Sequence, residues 1–182
     1  MRYALLKEMY EMEKNYWWHK AKRDYVLFLL KKFAGQSNLK ILDVGCGTGY
    51  FLKEVAKLGE AYGIDRSQSS LYFSRKRKLK NLKKLDIEKS KYSILKFDVA
   101  TALDMIEHIE NDLLAMKNIA GSLKRGGVLI IVTPAFPSLW SYWDEVAGHF
   151  RRYDNRSIRQ LFKKAGFQIE YIRFTNVAVF LP

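Results

Sequence analysis

The sequence predicts an α/β protein whose core is a doubly wound, mostly parallel sheet. Apolar segments of strand length alternate along the chain with segments of helical periodicity, which is the pattern of consecutive βαβ units. One junction, residues 41–49, reads Ile-Leu-Asp-Val-Gly-Cys-Gly-Thr-Gly, an apolar strand that leads into a glycine-rich turn. The 182 residues, 48% of them hydrophobic, are enough for one core, so we assign 1–182 to a single domain.

The first predicted element is a long N-terminal helix over residues 4–33. Its apolar positions keep a period near 3.6, and it ends at the Ala-Gly-Gln-Ser-Asn segment 34–38; the periodic residues are Tyr25, Val26, Leu29, Leu30 and Phe33. We expect residues 1–36 to form a helical lid over a core made of residues 37–176.

The core should contain six strands, at residues 40–44, 61–64, 84–87, 97–103, 128–133 and 167–175. Helices are predicted at 50–58, at 67–78, from a cap at Asn111 or Asp112 to Gly126-Gly127, and at 155–165. The chain then leaves an apolar tail at 177–182, with no room for a last antiparallel strand. We expect that tail to pack on a neighbouring molecule or to be mobile.

The glycine turn indicates a ligand with a ribose but without a phosphate. Glycine is needed where the backbone takes positive φ angles or touches a ligand, as at Gly45, Gly47 and Gly49. A dinucleotide site would have its third glycine at position 50, where this chain has Tyr50. Asp43, just before the turn, would repel a pyrophosphate and attract a cation, and Asp65 ends the next strand where an acid can bind ribose hydroxyls.

This loop resembles the cofactor site of class I S-adenosylmethionine-dependent methyltransferases. Segments 97–99, 103–108 and 123–129 are similar to blocks of the group related to ubiquinone and menaquinone biosynthesis (the type 11 group). The resemblance implies S-adenosylmethionine as cofactor, with Asp65 on the ribose, Asp86 and Ile87 on the adenine and Leu103 on the methionine portion. The implied cofactor-binding set is Asp43, Gly45, Cys46, Gly47, Gly49, Asp65, Arg66, Asp86, Ile87 and Leu103. The alternative is an ordinary strand–helix turn of another α/β protein.

Two aromatic segments are candidates for the acceptor pocket, because ligands of doubly wound sheets bind at the carboxyl ends of the strands. One is residues 16–19 of the predicted lid, and the other is the loop 140–153 after the fifth strand. We expect them to close over the pocket through Trp17, Trp18, His19, Trp140, Trp143, Arg151, Arg152 and Tyr153. The alternative is that these tryptophans fill the core and the histidines are incidental.

The candidate catalytic residues are His149 and His108, as general bases. Methyl transfer from a sulfonium needs a base only if the acceptor loses a proton, so this list can be empty. His108 has an alternative role, a hydrogen bond that holds the loop around Glu107. We predict no metal site.

The function that we expect is methyl transfer to a small molecule that is partly aromatic or apolar and carries an anionic group. The alternatives are an RNA methyltransferase, suggested by the net charge of +13, and a cofactor-binding module without catalysis. The sequence after the fourth strand, Leu103-Asp104-Met105-Ile106, lacks the Pro-Pro signature of enzymes that methylate base amino groups.

Seven of the ten residues 75–84 are basic, which fits either a solvated helix face or a contact with nucleic acid or an anionic membrane. No apolar stretch approaches the roughly 20 residues of a membrane span, and the start has no signal-peptide pattern. Cys46, the single cysteine, has no partner for an internal disulfide. We therefore expect a cytoplasmic protein, and the oligomeric state stays open.

Overall fold

The computed structural model describes residues 3–35, 38–92 and 94–175. Five parallel strands, in the order β3-β2-β1-β4-β5, form one sheet: β1 Leu39–Val44, β2 Gly59–Asp65, β3 Leu82–Lys84, β4 Phe97–Leu103 and β5 Leu123–Val132. The α-helices are α1 Tyr3–Met12, α2 Trp17–Ala34, α3 Tyr50–Val55, α4 Gln68–Lys76, α5 Asp112–Ser122, α6 Tyr142–Ala147 and α7 Asn155–Lys164.

Successive residues of the central strands point to opposite faces of the sheet, and each face carries its own core. Leu42 of β1 and Ala100 of β4 pack with residues of α5 and α7. Ile41 and Val99, on the other face, pack with residues of α2, α3 and α4. Helices therefore cover both faces, which confirms the predicted doubly wound α/β fold.

The N-terminal helix is broken, whereas the sequence predicted one helix over 4–33. α1 ends at Met12 and α2 begins at Trp17, with a turn between them. The guanidinium of buried Arg23 donates to the carbonyl oxygens of Glu13 and Lys14 in this turn. Side-chain donors thus satisfy backbone groups that a continuous helix would have used, and the chain can change direction there.

The boundary between α5 and β5 lies four residues earlier than the predicted end of the helix at Gly126-Gly127. α5 ends at Ser122 and β5 starts at once at Leu123. Leu123 pairs with Phe97 and Val128 with Val99, so the residues between them bulge out of the ladder, with Gly126 at φ +75°. The glycine pair therefore shapes a bulge inside a strand.

The predicted sixth strand is wrong: residues 167–175 form no strand, although they lie in the described part of the chain. Their aromatic side chains dock individually. Phe174 stacks on Phe136 with ring centroids 4.7 Å apart, and the Tyr171 hydroxyl lies 2.8 Å from that of Tyr25. No antiparallel strand occurs in residues 3–35, 38–92 and 94–175, as expected. The predicted tail 177–182 lies outside the described residues.

Candidate active site

The glycine turn between β1 and α3 takes the shape that its sequence predicts. Gly45, Gly47 and Gly49 have φ angles of +73°, +55° and +80°, which side-chain-bearing residues rarely adopt. A Cβ at Gly45 would overlap the Met105 side chain, whereas one at Gly47 would meet no atom within 4 Å. The turn is therefore closely packed against Met105 at Gly45, whereas at Gly47 it has room for a ligand.

Asp65 lies at the end of β2, beside this opening. Its two carboxylate oxygens accept the backbone N–H groups of Gly47, at 3.0 Å, and Ser67, at 2.7 Å. Partial burial raises the pKa of Asp65, and the two amides oppose that rise. Because a carboxylate has about four acceptor positions, these two bonds leave Asp65 able to accept ribose hydroxyls.

Asp43 lies beneath the turn and is only 3% exposed. Its Oδ1 accepts the hydroxyl of Thr101 at 2.7 Å. Burial raises the pKa of Asp43 to about 7, and the charge of Asp65 adds to this rise. Any effect of Asp43 on a ligand at the turn would therefore be electrostatic and not a direct contact.

The other predicted cofactor residues have mixed surroundings. Asp86 follows β3 by two residues, since β3 covers 82–84 and not 84–87, and its carboxylate accepts the Glu88 amide at 3.1 Å. Ile87 is buried in the core, Cys46 is buried with its pKa raised by burial, Leu103 is half-buried and Arg66 is exposed. Their contacts with a cofactor remain predictions.

The turn between α1 and α2 is fastened to the glycine turn through Glu13. The Glu13 carboxylate accepts the hydroxyl of Thr48 and pairs with Arg77 at the end of α4. Arg77 also donates to the carbonyl oxygens of Thr48, at 3.0 Å, and Tyr10, at 2.8 Å. Motif reasoning missed Glu13 and Arg77, because polar residues on separate helices carry no local signal of a mutual contact.

A second link joins α2 to the carboxyl end of β4. Lys22 forms an ion pair with Asp104, which has a φ of +48°. Burial and the charge of Lys22 lower the pKa of His19. The predicted lid therefore reaches the end of β4 through Lys22, another residue that sequence reasoning missed.

Glu107, His108 and His149 come together at that end of the sheet. Each offers a ligand atom, and these three atoms lie within 4.8 Å of one another. The Phe150 amide donates to the Glu107 carbonyl at 2.7 Å, and the two imidazole rings are 4.7 Å apart. Burial is the main cause of both pKa shifts, raising that of Glu107 to about 8 and lowering that of His108. The Met105 side chain lies against Gly45 and its carbonyl accepts the His108 amide at 3.1 Å, so Met105 links the cluster to the glycine turn.

The loop 140–153 is organised by Asp144, which is 1% exposed. Its Oδ1 accepts Nε of Arg152 at 2.7 Å and faces Nδ1 of His149 at 2.9 Å, and Oδ2 accepts Nη2 of Arg152 at 2.9 Å. Arg151 pairs with Asp112 at 2.8 Å, and the Tyr153 hydroxyl donates to the same carboxylate. Both predicted arginines thus have internal partners, and Tyr153 is buried.

The predicted aromatic residues remain largely accessible. Trp17 and Trp18 meet edge to face with ring centroids 5.5 Å apart, and Trp17 is exposed. Trp140 and Trp143 are also exposed, with 74% of the Trp143 surface accessible. None of these four tryptophans belongs to the buried core, so the alternative that they fill it is not supported.

A parallel sheet with an acid-led glycine turn and an acid at the end of β2 defines an S-adenosylmethionine-dependent methyltransferase of class I. The chain belongs to the methyltransferase-domain family, whose model matches residues 16–172. The residues fit the cofactor of this class: Gly47 is open, Asp65 has free acceptor positions, and the acid Asp43 suits a cationic ligand.

Curated relatives include two ubiquinone biosynthesis O-methyltransferases. The protein of Pelagibacter ubique is 31% identical over 101 residues, 53% of this chain and 42% of the relative. That of Coxiella burnetii is 31% identical over 131 residues, 64% and 56% of the two chains. The chain thus spans about half the length of these relatives.

Solved structures share the fold. A putative methyltransferase from Bacillus halodurans superimposes with a TM-score of 0.70 at 20% identity, over 80% of this chain and 70% of that one. S-adenosylmethionine-bound CalS10, an amino pentose methyltransferase from Micromonospora echinaspora, gives 0.64 at 23% identity, over 74% and 58%.

Proposed function

We propose that this protein transfers the methyl group of S-adenosylmethionine to a small molecule that is partly aromatic or apolar and carries an anionic group. The observation that carries this proposal is the position of the Glu107–His108–His149 cluster. Met105 links this cluster to the glycine turn, and exposed aromatic side chains lie on the two segments that are predicted to close over the acceptor.

The cofactor, when bound, supplies a methyl group that its sulfonium has already activated. The protein therefore has to bind, orient and desolvate the reactants. In this proposal Asp65 holds the ribose, Asp43 favours the cationic end, and the exposed rings of Trp17, Trp140 and Trp143 close over the acceptor. Aromatic faces suit this task because they exclude water and tolerate a positive charge.

His149 is the better of the two candidate bases. Its Nδ1 faces the Asp144 carboxylate, which favours the tautomer with the proton on Nδ1 and leaves Nε2 free to accept one. A buried carboxylate that orients an imidazole in this way is a recurring feature of catalytic histidines. We propose that His149 removes the acceptor's proton when the acceptor has to lose one.

The anionic group would be met by Arg151, whose side chain is the more exposed of the two arginines. Arg152 is held by two bonds to buried Asp144 and is better suited to shaping the loop. If Arg151 only positions the acceptor, Arg151→Ala should raise KM for the acceptor without changing cofactor affinity.

The proposal is tested with methyl-labelled S-adenosylmethionine and a panel of small aromatic and apolar acids as acceptors. We expect label in a small-molecule product with the native protein, and a roughly 100-fold lower kcat for His149→Ala. Cofactor affinity of the same variant, measured by calorimetry, should match the native value. Transfer of label only to RNA, or tight cofactor binding without transfer to any acceptor class, would contradict the proposal.

A further inference from the structure

The Glu107–His108–His149 cluster has the chemistry of a metal site, although its residues were first considered as bases. Glu107 is fully buried, and its Oε2 accepts the Thr133 hydroxyl at 3.0 Å. Its other oxygen, Oε1, is the one buried side-chain polar atom in the described parts of the chain without a hydrogen-bond partner. A buried carboxylate oxygen without a partner is costly, and a bound cation would remove that cost.

Both imidazoles of the cluster are oriented as metal ligands usually are. Nδ1 of His108 faces the Gly148 carbonyl oxygen at 3.2 Å, and Nδ1 of His149 faces the Asp144 carboxylate at 2.9 Å. A hydrogen bond from Nδ1 to a carbonyl or carboxylate fixes the tautomer that leaves Nε2 free for a metal. Each of the three residues thus has a hydrogen-bond partner that can hold it in place, and for Glu107 this partner is Thr133.

We propose that Glu107, His108 and His149 bind a divalent transition-metal ion of the zinc type, with an open coordination position toward the acceptor pocket. Two histidines and one glutamate with an open fourth position form a known kind of catalytic zinc site. Ligand atoms of such an ion are roughly 3.3 Å apart, so the widest pair has to close by at most about 1.5 Å when the ion binds.

The metal site goes beyond the proposed methyl transfer and does not depend on which acceptor is used. It does change the role of His149, which as a ligand is no longer free to act as a base. An acceptor oxygen bound at the open position would then lose its proton more easily because the ion lowers its pKa. A measurement of metal binding therefore distinguishes the two roles of His149, as a metal ligand or as a base.

Cobalt(II) is a suitable probe, because it replaces zinc and absorbs visible light when bound by nitrogen and oxygen ligands at a tetrahedral site. Tag-free protein, stripped with chelator, is titrated with Co²⁺ and then with Zn²⁺ as competitor. We expect one equivalent of Co²⁺ to produce visible absorption that Zn²⁺ abolishes. Glu107→Gln and His149→Ala should lose that absorption, while Thr133→Val should weaken binding by about tenfold or more.

His19→Ala is the matched control, because His19 is the only histidine outside the cluster. It should keep the cobalt spectrum unchanged. Binding of S-adenosylmethionine, measured by calorimetry, checks that each variant is folded. If the native protein fails to bind the cofactor, that result counts against the methyltransferase proposal and not against the metal site. The metal proposal is overturned if native protein gives no stoichiometric spectrum, or if His149→Ala gives the native one.

Discussion

Asp43 and Asp65 lie on neighbouring strands beside the same glycine turn, yet their surroundings differ. Asp65 is partly accessible and has two backbone amides that favour its charged form. Asp43 is almost fully buried, with the Thr101 hydroxyl as its hydrogen-bond donor. We therefore expect a direct contact with the cofactor from Asp65 and a longer-range electrostatic effect from Asp43.

Replacing Asp65 should weaken cofactor binding strongly. Asp65→Ala removes the charged acceptor of the ribose hydroxyls, which corresponds to about 1.5–3 kcal/mol, or roughly 10- to 150-fold in Kd. Calorimetry with S-adenosylmethionine measures the effect. Glu60→Ala is the control, because Glu60 lies on the same strand but is exposed and away from the carboxyl edge. Equal affinities in both variants would rule out the assigned role of Asp65.

Asp43 should make cofactor binding dependent on pH. With its pKa near 7, Asp43 is mostly protonated at pH 6, and only the ionised form attracts the cationic cofactor. The charged and titratable groups around it are Asp65, whose pKa burial also raises, and Cys46, whose pKa burial raises far enough to keep the thiol protonated between pH 6 and 7.5. Affinity should rise several-fold over that range, with proton release on binding. Asp43→Asn should bind more weakly and without this pH dependence.

The same raised pKa has a consequence for the free protein. A carboxyl group whose pKa is higher in the folded than in the unfolded state stabilises the fold at low pH, and this contribution is lost as pH rises through the folded pKa. The contribution of Asp43 should therefore fall between about pH 4 and 7, and Asp43→Asn should remove that part of the pH profile. Denaturant titrations at several pH values measure it.

Local motifs predicted the residues of the glycine turn, because glycine angles and strand-end acids are set within a few residues. Glu13, Lys22 and Arg77 could not be predicted in this way. Each forms a contact between elements far apart in the chain, and such a residue looks like any other charged residue on a helix. The partners of Arg151 and Arg152 were missed for the same reason. Asp112 approaches Arg151, and Asp144 approaches Arg152, only in the folded protein.

At the scale of elements, the break between α1 and α2 places Glu13 against the glycine turn. Glu13 and Arg77 form an ion pair at this contact, and their side chains are only 12% and 10% exposed. Burial raises the pKa of Glu13, while Thr48 and Arg77 oppose this. Removing one partner of such a buried pair destabilises the protein more than removing one partner of a surface pair, because the other charge stays buried.

Arg77→Ala should therefore destabilise the protein by on the order of 3 kcal/mol, because it leaves the Glu13 carboxylate buried without its cation. Urea denaturation gives the free energy of unfolding, and hydrogen exchange should show faster exchange in α1. Lys57→Ala is the control, since Lys57 pairs with Glu54 at the surface and its loss should leave the free energy of unfolding almost unchanged. Comparable losses in both variants would show that the pair does not fasten the lid.

The loop after β5 depends on Asp144 in a similar way. Asp144→Ala removes the acceptor of Arg152, His149 and the Ser141 amide together. We expect a loss of about 3–5 kcal/mol, in the range for a broken buried pair. The adjacent Glu145→Ala, exposed on the same helix, should change stability by less than about 0.5 kcal/mol. A small effect of Asp144→Ala would mean that the loop is held by its backbone contacts.

The elements themselves were predicted best where the chain is buried and regular. The apolar runs of β1, β4 and β5 indicate central parallel strands, and the structure has strands there, although β5 lies at the edge of the described sheet. The segment 167–175 has a similar apolar composition, but its aromatic residues dock against α2 and the loop after β5. Composition does not reveal that these side chains dock singly and do not pair with the edge strand β5, and so the sixth strand was a wrong prediction.

At the scale of the whole molecule, the net charge of +13 is the property that the proposed small-molecule chemistry explains least. Arg77 is withdrawn into the ion pair with Glu13, whereas Arg75, Lys78, Lys80 and Lys84 are exposed. Within the described residues no helix is both long and apolar enough to cross a membrane. An exposed basic surface binds polyanions through their phosphates and without sequence preference.

Replacing these four exposed cations distinguishes nonspecific RNA binding from a role of the basic surface in methyl transfer. For single-stranded RNA, each phosphate contact contributes about 0.7 to the slope of log K against log salt concentration, so four lost contacts lower that slope by about three. Fluorescence anisotropy with labelled RNA should show this change in Arg75→Gln/Lys78→Gln/Lys80→Gln/Lys84→Gln. Methyl transfer to the small-molecule acceptor should be the same in the variant and the native protein, because none of the four side chains is assigned a contact with the cofactor or the acceptor. Label that enters RNA at physiological salt with native protein, and no longer with the variant, would instead identify the basic surface as part of an RNA methyltransferase.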